Sequence, residues 1–398
     1  MTKNNCLQLI RVSLLALIFF FPHANAEENP NQILTHQWKT PTTVFDNAGT
    51  LWVTYAEKQS VYTRHSTDSG KTFFPAVLVN QTPQNIYTNG ENRPKIAIGD
   101  NGNVYVSWTE KTKGRFNGDI HFARSTNGGH SFESDRIIND DKLSIGHRFD
   151  SLYLTPSGNL YIVWLDKRLS VKAKELQHNY PGISLYYSVS ADQGASFSAN
   201  KKIADHTCEC CRIAISGSGL DGVAIMWRQL FKNGIRDHAI TRLAPNKKLL
   251  IYRATFDGWK TDACPHHGPS ISPANQHSYH MTWFSNGSSQ KGIYYAKYNL
   301  NTGIADKGVL IDSSPSASHP YIKQVGDIVW LVWKKFEDNK THIKEQHSTN
   351  GGHTWSLPRS VAQSQTESDH PIILNKGKKV YLSWHTKQEG LRLAPLSL

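Results

Sequence analysis

Seven aromatic residues, Tyr55, Trp108, Trp164, Trp227, Trp283, Trp333 and Trp384, recur at intervals of 53, 56, 63, 56, 50 and 51 residues. Most close an apolar stretch that follows a turn rich in Gly, Asn, Asp or Ser. Two examples are Ile96-Ala97-Ile98, Asp100-Asn101-Gly102, then Val104 to Trp108; and Leu152 to Leu154, Pro156-Ser157-Gly158, then Leu160 to Trp164. This is the pattern of a β-hairpin. A hairpin unit repeated at this period, with no convincing helical pattern between copies, predicts four-stranded blades stacked around an axis. The expectation is an all-β propeller of seven units, with six blades as the alternative. The last unit has three strands, ending at Leu391 to Leu396, so Ile33 to Trp38 is expected to supply its fourth and close the ring.

A second motif follows four of the hairpins: Ser66-Thr67-Asp68-Ser69-Gly70-Lys71-Thr72-Phe73, Ser125 to Phe132, Ser190 to Phe197, and Ser348 to Trp355. The Asp or Asn accepts hydrogen bonds from turn amides, the Gly takes positive φ, and the aromatic packs into a sheet. These segments match the Asp box, S-x-D-x-G-x-T-W/F, with Asn for Asp in two copies. Two later units have lost it, around Asn246 and Asn301-Thr302-Gly303. On these boxes the chain resembles the sialidase or BNR-repeat superfamily over almost its whole length. Sialidases have six blades, whereas seven units are counted here.

Residues 1–26 read as a cleavable export signal. Lys3 and Arg11 give a basic start, Val12 to Phe21 is interrupted only by Ser13, and Ala24-Asn25-Ala26 offers a cleavage site. The apolar run is too short to span a bilayer, so no transmembrane segment is expected after cleavage. Residues 27–398 are then one propeller domain, periplasmic or secreted and expected to be monomeric. The chain is basic, with a formal charge of +12, but its Lys and Arg are dispersed. Nucleic acid is not an expected partner; a glycan or another anionic small ligand suits the charge better.

In a propeller the first strand of each unit lines the central channel. Aligning the units on their turns puts Thr40, Arg93, Phe149, Cys210, Gly268, His319 and His370 at equivalent positions at the head of that strand, with Arg148 and His267 one residue earlier. X-Pro pairs set an extended start, which explains the prolines after Arg93, His319 and His370 but not the residues before them. The sialidase resemblance implies three arginines on a substrate carboxylate, a Tyr nucleophile paired with Glu, and an Asp acid. Arg93, Arg148 and Arg212 are the candidates for the first task, Tyr321 for the nucleophile and Asp150 for the acid. No arginine heads the sixth or seventh unit, and no Glu partner can be assigned.

After the leader, four cysteines remain, in Cys208-Glu209-Cys210-Cys211 and Cys264-Pro265-His266-His267-Gly268-Pro269. Both segments precede first strands of neighbouring units, so they should meet near the axis. One reading is a disulfide, from Cys264 to Cys208 or Cys211, since adjacent Cys210 and Cys211 are strained as a pair. The other is a single cluster of Cys208, Cys210, Cys211, Cys264, His266, His267, His319 and His370 holding copper or zinc. The pair of segments looks like a bacterial branch of Asp-box proteins. Three functions follow: a sialidase-like glycan-directed propeller, catalytic or binding; a periplasmic copper- or zinc-binding propeller; and a non-catalytic protein-binding propeller.

Overall fold

The structure, a computed structural model, describes residues 35–398 apart from residues 220, 288 and 289. The export signal read in residues 1–26, and Ile33 in the expected closing segment, lie outside the described residues. No helix among the described residues is long and apolar enough to cross a membrane.

Seven antiparallel sheets follow one another along the chain. Their first strands are Lys39–Phe45, Lys95–Ile98, His147–Leu154, Ala214–Ser218, Ser270–Pro273, Ser318–Val325 and Ile372–Lys376, and residues of all seven units line one central channel. The seven periodic aromatics each sit on the second strand of a blade and are at most 3% exposed. The period is therefore a packing period: one large ring per blade is buried between sheets, where it removes most apolar area from water.

The four box turns are built as their residues require. Asp68 Oδ1 accepts from Thr72 N at 2.9 Å and from Ser66 Oγ at 2.7 Å, and the other three copies repeat the contact to the residue four places on. The box residues then lock onto the preceding blade. Phe197 meets Phe122 edge-on at 4.9 Å, and Trp355 meets Tyr295 at 4.8 Å. A Cβ on Gly194 would stand 2.8 Å from the Phe122 ring. Gly is required there by close approach as well as by its φ of 79°.

Two features differ from the sequence reading. Among the described residues the seventh sheet has three strands, Ile372–Lys376, Lys379–Thr386 and Gly390–Leu396, and residues 35–38 add no fourth. Thr35–Gln37 instead forms a 3-10 turn, with Thr35 O accepting from His385 Nε2 at 3.0 Å and Thr35 Oγ1 from Leu391 N at 3.2 Å. Trp38 is pulled the other way, stacking on Tyr55 at 4.2 Å and receiving Phe73 edge-on. The seventh blade still packs on the first box through Leu393, which a Cβ on Gly70 would approach to 2.8 Å. Burial of the indole wins over extension of the strand.

The second difference is a helix, Arg168–Glu175, inserted within the third blade. None of its residues is buried, so it carries no apolar stripe to betray it. It is held at its start, where Arg168 pairs with Asp166 and Asp140 at 2.9 Å each. This insertion explains why the interval after Trp164 is the longest.

Candidate functional site

The central channel has a volume of about 470 Å³. Its wall mixes aliphatic side chains, such as Val44, Ile96, Leu152, Ile213, Ile271 and Ile372, with polar ones, and Glu91, Arg93, Lys95, Arg212, Tyr321 and His370 lie near the starts of the first strands. Three of the aligned head positions share a backbone device. Thr40, Phe149 and His319 have φ of 45°, 59° and 51°, each within a register shift between first and second strands. A bulge of this kind re-aims a side chain, and the left-handed conformation costs a non-glycine residue about 1–3 kcal/mol. At Phe149 the strain is offset by burial of the ring; at His319 it delivers an imidazole to the channel mouth.

The structure separates the three arginines. Arg93 is spent on ring closure: Nη2 pairs with Asp369 of the seventh blade at 2.5 Å, Nη1 donates to Pro41 O of the first at 3.1 Å, and Nε to Gly90 O. Arg212 donates to the carbonyls of Gly268, Pro269 and Pro320. Gly268 at the fifth head position makes this possible, because a Cβ there would stand 2.4 Å from Arg212 Cβ. Arg148 is not among the channel-lining residues; it lies over the rings of Tyr87, Phe116 and Phe149. Asp150 is buried, accepting from Ser107 Oγ at 2.7 Å and Thr109 Oγ1 at 3.0 Å and facing Lys95 Nζ at 3.4 Å. Tyr321 lines the channel. Burial raises its phenol pKa, and the charges of Arg212 and Arg93 only partly offset that.

The two cysteine segments do meet. All four thiols are free, so the bridge expected from Cys264 to Cys208 or Cys211 is not formed. Cys208 Sγ lies 3.9 Å from Cys210 Sγ and 3.8 Å from Cys211 Sγ, far beyond a disulfide bond. Cys264 approaches Cys210 instead, with one ring nitrogen of His266 and the two sulfurs all within 4.8 Å of one another. The reason is the loop path: Cys208–Cys211 form a buried turn anchored by Cys208 N to Arg228 O at 3.0 Å, while Cys264 and His266 sit exposed on the neighbouring loop. Cys208 is the most acidic of the buried three. Hydrogen bonds from Cys210 and Cys211 lower its pKa well below a thiol's usual value, against the pull of burial, and the charges of Arg228 and Arg236 add to this. Arg236 Nη1 also reaches Cys208 Sγ at 3.2 Å.

His319 and His370 do not join this group. The structure divides the single cluster expected from sequence into two, and the second contains Glu91, which the sequence reading missed. Glu91 is 5% exposed. Its Oε2 accepts from the backbone N of Arg212 at 2.6 Å, and its Oε1 faces His370 Nδ1 at 3.2 Å. Burial works against its charge, but Arg212 and His370 outweigh that and hold the carboxyl well below the usual carboxylate range. His267 packs its ring 4.6 Å from that of His319, and burial lowers its pKa to about 4. The only hint of Glu91 in the sequence is its place two residues before the head position Arg93.

No family model and no curated protein matches the sequence. Among solved structures, the BP39L lectin from Burkholderia pseudomallei is similar with a TM-score of 0.61 at 9% identity, over 91% of this chain and 99% of that one. An ulvan lyase of polysaccharide lyase family PL25, bound to -[GlcA(1-4)Rha3S]-, is similar with a TM-score of 0.54 at 12% identity, over 92% and 95%. The Hadza microbial sialidase Hz136 is similar with a TM-score of 0.50 at 13% identity, over 87% and 76%. Likeness at this level of identity speaks to fold alone, and with the seven sheets described above it makes this chain a seven-bladed β-propeller.

Proposed function

We propose that the protein is an exported propeller that binds a soft metal ion, copper(I) or zinc(II), through the thiolates of Cys208, Cys210, Cys211 and Cys264. The observation that carries this reading is the sulfur spacing. Metal–sulfur bonds of about 2.3 Å opened to a tetrahedral angle hold two sulfurs about 3.8 Å apart, and the two sulfur distances at Cys208 are 3.9 and 3.8 Å. Thiolate donors select copper(I) and zinc over harder cations, and Arg228 and Arg236 favour the ionised sulfur such a ligand needs. Protein purified from the periplasm or medium should carry about one equivalent of copper or zinc, and Cys210→Ser should lose it, because a serine hydroxyl does not replace a thiolate toward such ions. Metal-free protein with all four cysteines oxidised would defeat the reading.

A second reading, sialidase-like and glycan-directed, is favoured by one feature of the channel. Lys323 lines it, partly buried, with no hydrogen bond or ion pair among the described residues, and burial lowers its pKa. An anionic guest would relieve that unpaired cation, and the lectin, lyase and sialidase of similar fold carry carbohydrate-directed names. With Asp150 enclosed and Arg93 and Arg212 bound to the protein itself, this reading is one of sugar binding rather than hydrolysis. An acidic oligosaccharide such as a uronic-acid or sialic-acid glycan should bind the unmodified protein, and Lys323→Ala should weaken it roughly tenfold to a hundredfold, the value of one hydrogen bond to a charged group. Equal binding by both proteins, or release of free sialic acid from a sialoside, would refute it.

A further inference from the structure

We infer that Glu91, His319 and His370 form a second metal site at the mouth of the channel, separate from the thiolate site and suited to a divalent transition-metal ion. One carboxylate oxygen and one nitrogen from each imidazole lie within 4.8 Å of one another. They come from the loop before the second blade and from the heads of the sixth and seventh, so three blades converge on one point. The partners these donors have are ionic: Glu91 Oε1 lies 3.2 Å from His370 Nδ1 and 3.7 Å from Arg212 Nη1. Glu91 Oε1, His319 Nδ1 and His370 Nδ1 are all buried and make no hydrogen bond. Glu91 is the strongest signal, a carboxylate 5% exposed with one oxygen committed to Arg212 N and the other set between His370 Nδ1 and the Arg212 guanidinium.

The imidazoles are set up as ligands are. His319 Nε2 donates to the His266 carbonyl at 3.0 Å, which fixes the tautomer and leaves the Nδ1 lone pair free. Its ring stacks on that of His370 at 3.7 Å. Behind His370 there is no slack: a Cβ on Gly90 would stand 2.6 Å from its Cε1. Donor atoms bonded at about 2.1 Å to a tetrahedral ion lie about 3.4 Å apart, and Glu91 Oε1 and His370 Nδ1 already stand 3.2 Å apart. Two imidazoles and one carboxylate are intermediate donors that suit zinc(II), copper(II) or iron(II) rather than copper(I). Glu91 and His370 line the channel, so the remaining coordination positions face its interior.

Cobalt(II) titration of chelator-treated protein separates this site from the thiolate one, because only thiolate ligation produces sulfur-to-metal charge transfer in the near ultraviolet. The unmodified protein should bind two equivalents, one with that band and one with visible ligand-field absorption alone. Glu91→Gln and His370→Gln should each weaken the second equivalent by at least about tenfold and leave the charge-transfer band unchanged. Gln at position 91 keeps an acceptor for Arg212 N, and thermal melts of both variants verify folding. If one variant is unstable, the other decides. A single equivalent carrying the charge-transfer band, or two equivalents unaffected by either substitution, would overturn this site. Ligand-field absorption that persists with no charge-transfer band would sustain it while refuting the thiolate reading.

Discussion

Arg228→Met should lower the unfolding free energy by about 3–5 kcal/mol, the cost of leaving buried acceptors without their charged donor. Arg228 is 1% exposed and lies over the Trp259 ring. Its guanidinium donates to the carbonyls of Arg236 at 2.7 Å, His267 at 3.1 Å and Phe284 at 3.0 Å. Methionine fills much of the space but satisfies none of the three. The denaturant midpoint should fall with little change in slope, and an unchanged midpoint would contradict this account. The same substitution removes one of the two cations that favour the Cys208 thiolate. Alkylation of the buried thiols should therefore require higher pH in the variant than in the parent.

The second large effect is a loss of stability in mild alkali, centred on His147. Its side chain has no solvent exposure, and acceptors face both ring nitrogens: Gly118 O at 3.0 Å and Asp119 Oδ1 at 3.3 Å from Nδ1, Asp141 Oδ2 at 3.0 Å from Nε2. Burial alone would lower its pKa, but hydrogen bonds to Asp119 and Asp141 and the charge of Asp166 raise it to about 9. A folded pKa above the unfolded value of about 6.5 means the stabilisation is complete below pH 6.5 and disappears as pH rises through 9. A shift of that size corresponds to about 3 kcal/mol. Read by chemical denaturation, the stability advantage of the parent over His147→Gln should be largest near about pH 6 and shrink toward about pH 9.5, a comparison in which the buried histidines of lowered pKa, such as His267, cancel. An advantage of the same size at both values would show that the charge of His147 does not hold the fold together.

Much of the fold was legible because one buried aromatic per blade imposes a period that survives all other variation; even the irregular interval after Trp164 marks a real insertion. The helix itself was not legible, since it buries nothing. The head positions were readable from turn alignment: Arg93, Gly268 and His370 stand two residues before strands that line the channel, Cys210 stands four before its strand, and His319 is the second residue of its own. Their partners were not. Arg93 meets Asp369 and Pro41, and Arg212 meets Glu91, pairs set by the closure of the ring and separated by up to 276 residues. Arginines at a channel mouth read as ligand donors until the carbonyls that occupy them are seen. The cysteines read as neighbours because their segments precede adjacent blades, but division of the donors into a sulfur group and an imidazole–carboxylate group depends on loop paths that no spacing encodes.

Among the described residues the first and last blades share no strand, and that has a mechanical consequence. A ring clasped by an exchanged strand must unzip a ladder of backbone hydrogen bonds before it can spring open. Here the joint is crossed by side chains: Thr43 Oγ1 donating to Ser383 Oγ at 2.7 Å, and Arg93 bracing Asp369 and Pro41 from the second blade. The propeller is a split washer. Its bore can flex at one joint while all seven sheets stay whole, so the work of admitting a guest wider than the resting channel is set by these few contacts, from Thr35 and Thr43 as well as Arg93, and not by the strength of the sheets.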